Sequence, residues 1–261
     1  MTTDLQSLSA LFSSSDPEQI HRALQIVREE VSRVGSDQAR PLFQMVSSLF
    51  YIDPHDDPEL ASILDEAISL VTGFGQWVIP HLVDNLDEGD LKAQMASAEA
   101  LGRIGADAVD PLVEKYHATR DPENRSFVLY ALGKINSPQV DRAADLALAG
   151  ARSQDLELRD TATRTIGRFA AVIPADLLSH DIRDGYYDTL RANLADPSKG
   201  VKAKAVRSLG KLARFGHLDP DRKQEMKTIA LNLLGEDEEF RWDRAFVVRR
   251  EAKEALEYFQ E

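Results

Sequence analysis

The feature of this sequence that most constrains its fold is a short motif that recurs along the chain. Its pattern is an apolar residue, a glycine, a basic residue and a second apolar residue, as in SAEALGRIG at 97–105. We align the copies on the apolar residue before the glycine. We also include two weaker copies, one before and one after the four clear ones. The six anchors are Ile68, Leu101, Leu132, Ile166, Leu209 and Leu256. Their spacings of 33, 31, 34, 43 and 47 residues indicate a repeated two-helix unit.

Other columns of this alignment agree with a helix that packs closely on its neighbours. The residue before the anchor is always small: Ala67, Ala100, Ala131, Thr165, Ser208 and Ala255. Offsets of −4, −1, 0 and +3 from the anchor lie on one face of a helix. Glycine within a helix costs about 1 kcal/mol relative to alanine. We therefore predict that the glycine after the anchor serves close approach between helices.

A turn that contains aspartate precedes each of the five later copies. It is followed by a basic or polar residue seven positions before the anchor. The pairs are Asp90 with Gln94, Asp121 with Arg125, Asp155 with Arg159, Asp196 with Lys202, and Asp243 with Arg249. A second apolar segment comes before each turn, for example 77–86 and 186–195. This layout predicts a helix, an aspartate turn and a second helix in every unit.

The layout resembles the HEAT-repeat family, particularly the short bacterial HEAT-like repeats that also occur in phycobilin-lyase-type proteins. The resemblance implies an all-α fold, an α-solenoid of about seven stacked antiparallel helix pairs. It also implies that the second helices, which carry the glycine motif, line the concave side. We predict a single solenoid domain over 1–261, with looser repeats in 1–75, regular repeats in 76–214 and a C-terminal capping repeat with a long turn in 215–261.

The charge balance disfavours several classes of function. The chain has 31 Lys and Arg against 44 Asp and Glu, a net charge of −13. Nucleic-acid binding needs a surplus of cations, so we expect no nucleic-acid partner. No segment approaches the roughly 20 apolar residues of a membrane span, and 1–16 lack the pattern of a signal peptide. We expect a cytoplasmic protein with no membrane partner.

The residues that could carry catalysis do not form a recognisable motif. None of the six histidines has the spacing of a histidine metal motif, and none is followed by glutamate. The iron-binding His-Glu pairs of HEAT-type deoxyhypusine hydroxylases are therefore absent. The chain also lacks cysteine, a P-loop, a Rossmann glycine motif and a nucleophile elbow. We predict no catalytic residue, no metal site and no cofactor.

Cations recur beside the glycine motif and form what we call the basic ladder. Position +2 from the anchor holds Arg103, Lys134, Arg168 and Lys211, and position −2 adds Arg164 and Arg207. Two interpretations remain open. In the first, each cation near a helix C-terminus interacts favourably with the helix macrodipole and stabilises the helix by about 0.3–1 kcal/mol. Alternatively, the basic ladder binds an acidic or phosphorylated segment of a partner.

A second candidate for partner binding is the long turn at 235–246 in the last repeat. It contains Phe240, Trp242 and Phe246 among acidic residues. Exposed aromatic side chains of this kind are typical interface anchors. The alternative is that Trp242 folds back over the open end of the array.

These observations favour a non-enzymatic scaffold that binds another protein through its concave face. The candidate partner-binding residues are the basic ladder together with Phe240 and Trp242. The alternative is a subunit of a bilin-lyase-like or other cofactor-handling enzyme complex. That alternative rests on similarity to the family alone. Neither the identity of the partner nor the oligomeric state follows from the sequence.

Overall fold

The computed structural model describes residues 4–236 and 241–259. Within these ranges the chain forms α-helices joined by short 3₁₀ turns and loops, with no β-strand. The helices divide into two compact units, Met1–Leu112 and Val113–Glu261. The expectation of a single domain over 1–261 stays a prediction.

The first unit consists of three helix pairs that pack side by side. The pairs are α1 (Leu5–Phe12) with α2 (Pro17–Val34), α3 (Arg40–Ser47) with α4 (Ala61–Thr72), and α5 (Ile79–Asp84) with α6 (Leu91–Ile104). The second helices α2, α4 and α6 pack next to one another in chain order. Phe43, Phe74 and Trp77 contact edge to face, with ring centroids 5.5–6.0 Å apart. Apolar side chains between the two rows of helices therefore form the core of this unit.

The chain passes into the second unit within α7 (Val109–Ala118), and α8 (Pro122–Leu132) follows. The Arg125 guanidinium of α8 lies 4.9 Å from the centre of the Tyr116 ring of α7. Three further pairs follow: α9 (Ala144–Gly150) with α10 (Leu156–Val172), α11 (His180–Asn193) with α12 (Lys199–Arg214), and α13 (Pro220–Leu234) with α14 (Phe246–Leu256). The second helices α8, α10, α12 and α14 pack successively against each other. The predicted all-α fold of stacked antiparallel helix pairs is confirmed in the described residues of each unit.

Aspartate side chains begin three of the five second helices for which the sequence predicted an aspartate turn. Asp90, Asp121 and Asp155 are the N-cap residues of α6, α8 and α10. The Asp90 carboxylate accepts the backbone N–H groups of Lys92 and Ala93 at 2.9 and 3.0 Å. Such a cap contributes about 1 kcal/mol because it satisfies N–H groups that the helix leaves unpaired. The aspartate turns predicted at these positions are confirmed.

The last two aspartates differ, because each bridges neighbouring repeats. Asp196 and Asp243 lie two residues before the first-turn caps of α12 and α14. Arg159 Nε donates to Asp196 at 2.7 Å, and Lys202 Nζ donates to Asp243 at 3.2 Å. The cation seven positions before the anchor in one repeat thus binds the turn aspartate of the next repeat.

The glycine of the motif lies against the small residue that precedes the anchor in the next repeat. The pairs are Gly133 with Thr165, Gly167 with Ser208, and Gly210 with Ala255. A methyl group on Gly167 would lie 2.4 Å from Ser208 Oγ, and one on Gly210 would lie 3.0 Å from Ala255 Cβ. The predicted role of glycine in close packing is confirmed at these positions. Gly133 allows the same close approach, but it is the residue just after the last residue of α8 and does not lie within the helix.

Candidate partner-binding surface

Arg103, the one member of the basic ladder in the first unit, links two neighbouring second helices. From α6 it donates to the Asp65 carboxylate at 2.5 Å and to Ser69 Oγ at 2.6 Å, both on α4. Glu99, one turn earlier on α6, lies 3.4 Å from its guanidinium. The Arg103 side chain is 31% exposed. Its charge is therefore matched by two carboxylates within its own unit.

Lys134 and Arg168 belong to the second unit and share an aromatic neighbour. The Lys134 ammonium and the Arg168 guanidinium lie 5.2 and 5.8 Å from the centre of the Tyr130 ring. Arg168 also donates to the carbonyl of Gly133 at 3.0 Å, at the C-terminal end of α8. Cations at such carbonyls stabilise a helix end. Arg168 thus stabilises a helix C-terminus, as the first interpretation of the basic ladder proposes. The helix that it stabilises is α8 of the preceding repeat, not its own helix.

Arg207 on α12 holds a buried carboxylate of α14. Its Nε and Nη2 atoms donate to both oxygens of Glu251 at 2.7 and 2.5 Å. The Glu251 side chain is 1% exposed, and Arg250 is its second cationic partner, at 2.9 Å. Burial opposes ionisation of Glu251, but the hydrogen bonds from Arg207 and Arg250 outweigh it and lower its pKa. Arg207 therefore stabilises the contact between two repeats.

Arg164 and Lys211 make no hydrogen bond or ion pair within residues 4–236 and 241–259. Lys211 is only partly exposed. Its burial, together with the positive charges of Arg168, Arg207, Arg164 and Arg214, lowers its pKa. We call these five cations on α10 and α12 the basic cluster. A partly buried cation among cations, without a matching anion, costs free energy in the folded state.

Arg214 is the member of the basic cluster that the repeat alignment missed. It lies outside the −2 and +2 columns, and the available signal was its position one turn after Lys211 on the same helix face. Its guanidinium lies 5.4 Å from the Phe215 ring centre and 5.1 Å from that of Tyr258. With Tyr130 beside Arg168, aromatic rings therefore lie next to the cations of both α10 and α12.

The aromatic residues of the last turn are partly exposed. The Trp242 side chain is 50% exposed, and the Arg249 guanidinium lies 3.9 Å from its ring centre. Phe246, at the start of α14, is 67% exposed. Phe240 lies outside the described residues. The part that these side chains play in partner binding stays a prediction.

Two further features bear on metal binding and on membranes. His55 lies in an acidic turn where its backbone N–H binds Asp53 at 2.9 Å, and Asp53 also pairs with Lys92 at 3.4 Å. In the described part of the chain, no group of three or more His, Asp or Glu side chains is arranged to hold a metal ion. No helix in the same residues has both the length and the apolar character that a bilayer requires.

In both units the helices form pairs, and the second helices of successive pairs pack against each other. This arrangement is that of an α-solenoid, a class of repeat protein. Residues 79–167 match the family model for HEAT repeats. The predicted resemblance to HEAT repeats is thus confirmed for this part of the chain. A search of curated protein sequences finds no match.

Several solved structures share the fold. The complex of CpcE and CpcF of phycocyanin lyase from Nostoc sp. PCC7120 has 21% sequence identity and a TM-score of 0.54, covering 69% of this chain and 98% of that one. A computationally designed armadillo repeat protein for modular peptide recognition has 18% identity and a TM-score of 0.54, covering 98% and 100%. An engineered protein with 18% identity and the same TM-score covers 99% and 97%. At such identities the likeness concerns the fold alone.

Proposed function

We propose that this chain is a non-enzymatic scaffold that binds another protein through the exposed side of its second helices, the side expected to be concave. The observation that carries the proposal is the basic cluster, where Arg164 and Lys211 have no anionic partner among the described residues. The fold is shared with armadillo repeat proteins designed for peptide recognition, which supports a protein or peptide as the ligand.

The electrostatics of the chain support an interaction surface at this position. The net charge of −13 repels most acidic proteins, whereas the basic cluster attracts a negatively charged segment locally. Arginine and tyrosine, which occur together here, are enriched at protein interfaces. Trp242, which is partly exposed in the last repeat, is proposed as a further contact. A cytoplasmic location stays a prediction.

Photo-crosslinking from defined positions tests this proposal. We expect Tyr130→p-benzoylphenylalanine on α8 and Arg214→p-benzoylphenylalanine on α12 to crosslink the same protein in extracts of the native cell. Matched controls carry the probe on exposed positions of first helices, Ala192 on α11 and Gln224 on α13. Mass spectrometry identifies the crosslinked chains. Equal crosslinking from all four positions, or crosslinking from the first helices alone, would contradict a partner site on the second helices.

The alternative function, a subunit of a bilin-lyase-like complex, is supported only by the shared fold. We expect the purified chain, incubated with bilin and an apo-phycobiliprotein, to produce no covalent chromophore attachment. The absorbance of the denatured phycobiliprotein after removal of free bilin measures this. Attached chromophore above the level of a protein-free control would favour the lyase role over the scaffold.

A further inference from the structure

We propose that the basic cluster binds a phosphorylated side chain of the partner protein, with Arg164 and Lys211 making the direct contacts. This inference rests on the proposed function and specifies the chemistry of the ligand. It concerns α10 and α12 alone, so Arg103 and Lys134 of the basic ladder are not required for it.

The hydrogen bonds of the basic cluster distinguish structural cations from available ones. Arg168 donates to the Gly133 carbonyl, and Arg207 donates to both oxygens of Glu251. Arg164 and Lys211 have no such bond to any described residue. Their donor groups are therefore available to a ligand without loss of a contact that holds the repeats together.

The environment of Lys211 favours an anion as that ligand. Its ammonium is partly buried, and four guanidinium groups on α10 and α12 lie close enough to act on it electrostatically. Like charges held together in this way destabilise the free protein. A bound anion would offset both the loss of hydration and the repulsion. The folded chain thus holds positive charge ready for a ligand before the ligand arrives.

The arrangement suits a phosphate better than a single carboxylate. A carboxylate brings a single negative charge, which neutralises only one of the two cations. A phosphorylated side chain brings a charge of about −1.5 to −2 and three acceptor oxygens. It can accept from the guanidinium fork of Arg164 and from the ammonium of Lys211 together.

The carboxylates around the basic cluster disfavour an extended polyanion such as a nucleic acid. Glu251 and Glu254 act on Arg207 at one side, and Asp160 on α10 pairs with Lys204 on α12. A strand that followed the helices beyond the cluster would meet these negative charges. A compact anion carried by a peptide would not.

Fluorescence anisotropy with the full chain tests the proposal. The probes are degenerate nine-residue peptide mixtures with a fixed central phosphoserine, serine or glutamate, and a ten-nucleotide oligothymidine. Mixtures with central phosphothreonine or phosphotyrosine distinguish the source of the phosphate. We expect at least one phosphorylated mixture to bind at least tenfold more tightly than the serine, glutamate and oligothymidine probes. We also expect the double variant Arg164→Met and Lys211→Met to lose at least tenfold in affinity.

The matched control is Lys223→Met with Lys227→Met, which removes two cations from α13, a first helix of the same unit. We expect its affinity to stay within twofold of that of the unaltered chain. Circular dichroism and thermal unfolding verify that both double variants are folded. A Lys211→Met single variant provides a second measure, with an expected loss of at least threefold, if the double variant is unfolded.

Several results would overturn the proposal. These are equal or tighter binding of the glutamate or oligothymidine probe, absence of binding by every phosphorylated mixture, and an effect of the α13 control as large as that of the cluster variant. If either of the first two results is obtained but Tyr130 and Arg214 still crosslink the partner, only the proposed ligand chemistry is wrong. If these two positions crosslink no partner, the proposed scaffold function itself is contradicted.

Discussion

Replacing Gly167 with alanine is expected to lower the free energy of unfolding by about 2 kcal/mol. A methyl group at this position would lie 2.4 Å from Ser208 Oγ and 2.9 Å from Ser208 Cα. Because one of these atoms belongs to the backbone, α10 and α12 must separate to admit it. Overpacking of this kind costs about 1–3 kcal/mol. The higher helix propensity of alanine, worth about 1 kcal/mol, acts in the opposite direction and does not cancel it.

Urea unfolding followed by circular dichroism measures the effect, and Tm should fall by roughly 4–8 °C. Gly200→Ala, in the first turn of α12, is the matched control. A methyl group there would lie 3.3 Å from the Oδ1 atom of Asp160, which is the end of a flexible side chain. We expect a change within about 0.5 kcal/mol. Equal effects of the two substitutions would contradict the role of Gly167 in helix contact.

A second substitution at the same contact separates packing from other effects. Ser208→Gly removes the Oγ and Cβ atoms that the new methyl group would meet. It also removes the hydrogen bond from Ser208 to the Thr163 carbonyl at 2.8 Å, so it destabilises by itself. We expect the double variant to lose less free energy of unfolding than the two single variants lose in sum. Simple additivity would show that the two residues do not interact.

Arg207→Met is expected to destabilise the second unit by about 2–3 kcal/mol. The substitution leaves the buried Glu251 carboxylate with Arg250 as its remaining partner. Removing one member of a buried ion pair costs about 3–5 kcal/mol, and the exposure of Arg207 and the presence of Arg250 reduce this. Thermal and urea unfolding at pH 7 measure the loss. An unchanged stability would contradict the assigned contact between α12 and α14.

The pH dependence of this loss follows from the direction of the pKa shift of Glu251. Its pKa in the folded state lies below the usual 4.5. Its stabilisation is therefore fully present above that value and is lost as the pH falls through the folded-state pKa. The difference between the unaltered chain and Arg207→Met should shrink accordingly as the pH falls below 4.5.

Lys211→Met, one turn further along α12, is expected to act in the opposite direction and to raise Tm by about 1–3 °C. Its lowered pKa means that the folded state disfavours the charged form. This penalty is fully present at pH 7 and disappears as the pH rises past the usual lysine pKa of 10.5. The gain in Tm should therefore vanish above that pH. A loss of stability at pH 7 would contradict the like-charge environment of Lys211.

Much of the fold was predictable because its causes are local. Asp90, Asp121 and Asp155 cap their helices through backbone groups two or three residues away, and such short-range chemistry is readable in the chain. The glycine and small-residue columns were also readable, since each helix meets a near copy of itself. Asp196 was harder to interpret. Its turn role was predicted, but its cationic partner is Arg159 of the preceding repeat.

The candidate site was predictable only as a set of cations on one helix face. Arg207 and Lys211 lie one turn apart on α12, and the sequence pattern does not tell which of them forms an ion pair. The difference is Glu251, which lies 44 residues from Arg207 and reaches it only because α14 packs on α12. Arg168 likewise owes its bond to the Gly133 carbonyl to the packing of α10 on α8.

Periodicity, caps and small residues in the chain were thus sufficient to specify paired helices that stack, because these signals act within a helix or between like repeats. Which cations stabilise the stack and which stay available was decided by the packed helices alone. The physical reason is that an ion pair depends on a distance of about 3–4 Å between side chains from different repeats. That distance is set by the register of the neighbouring helix, which no single repeat contains.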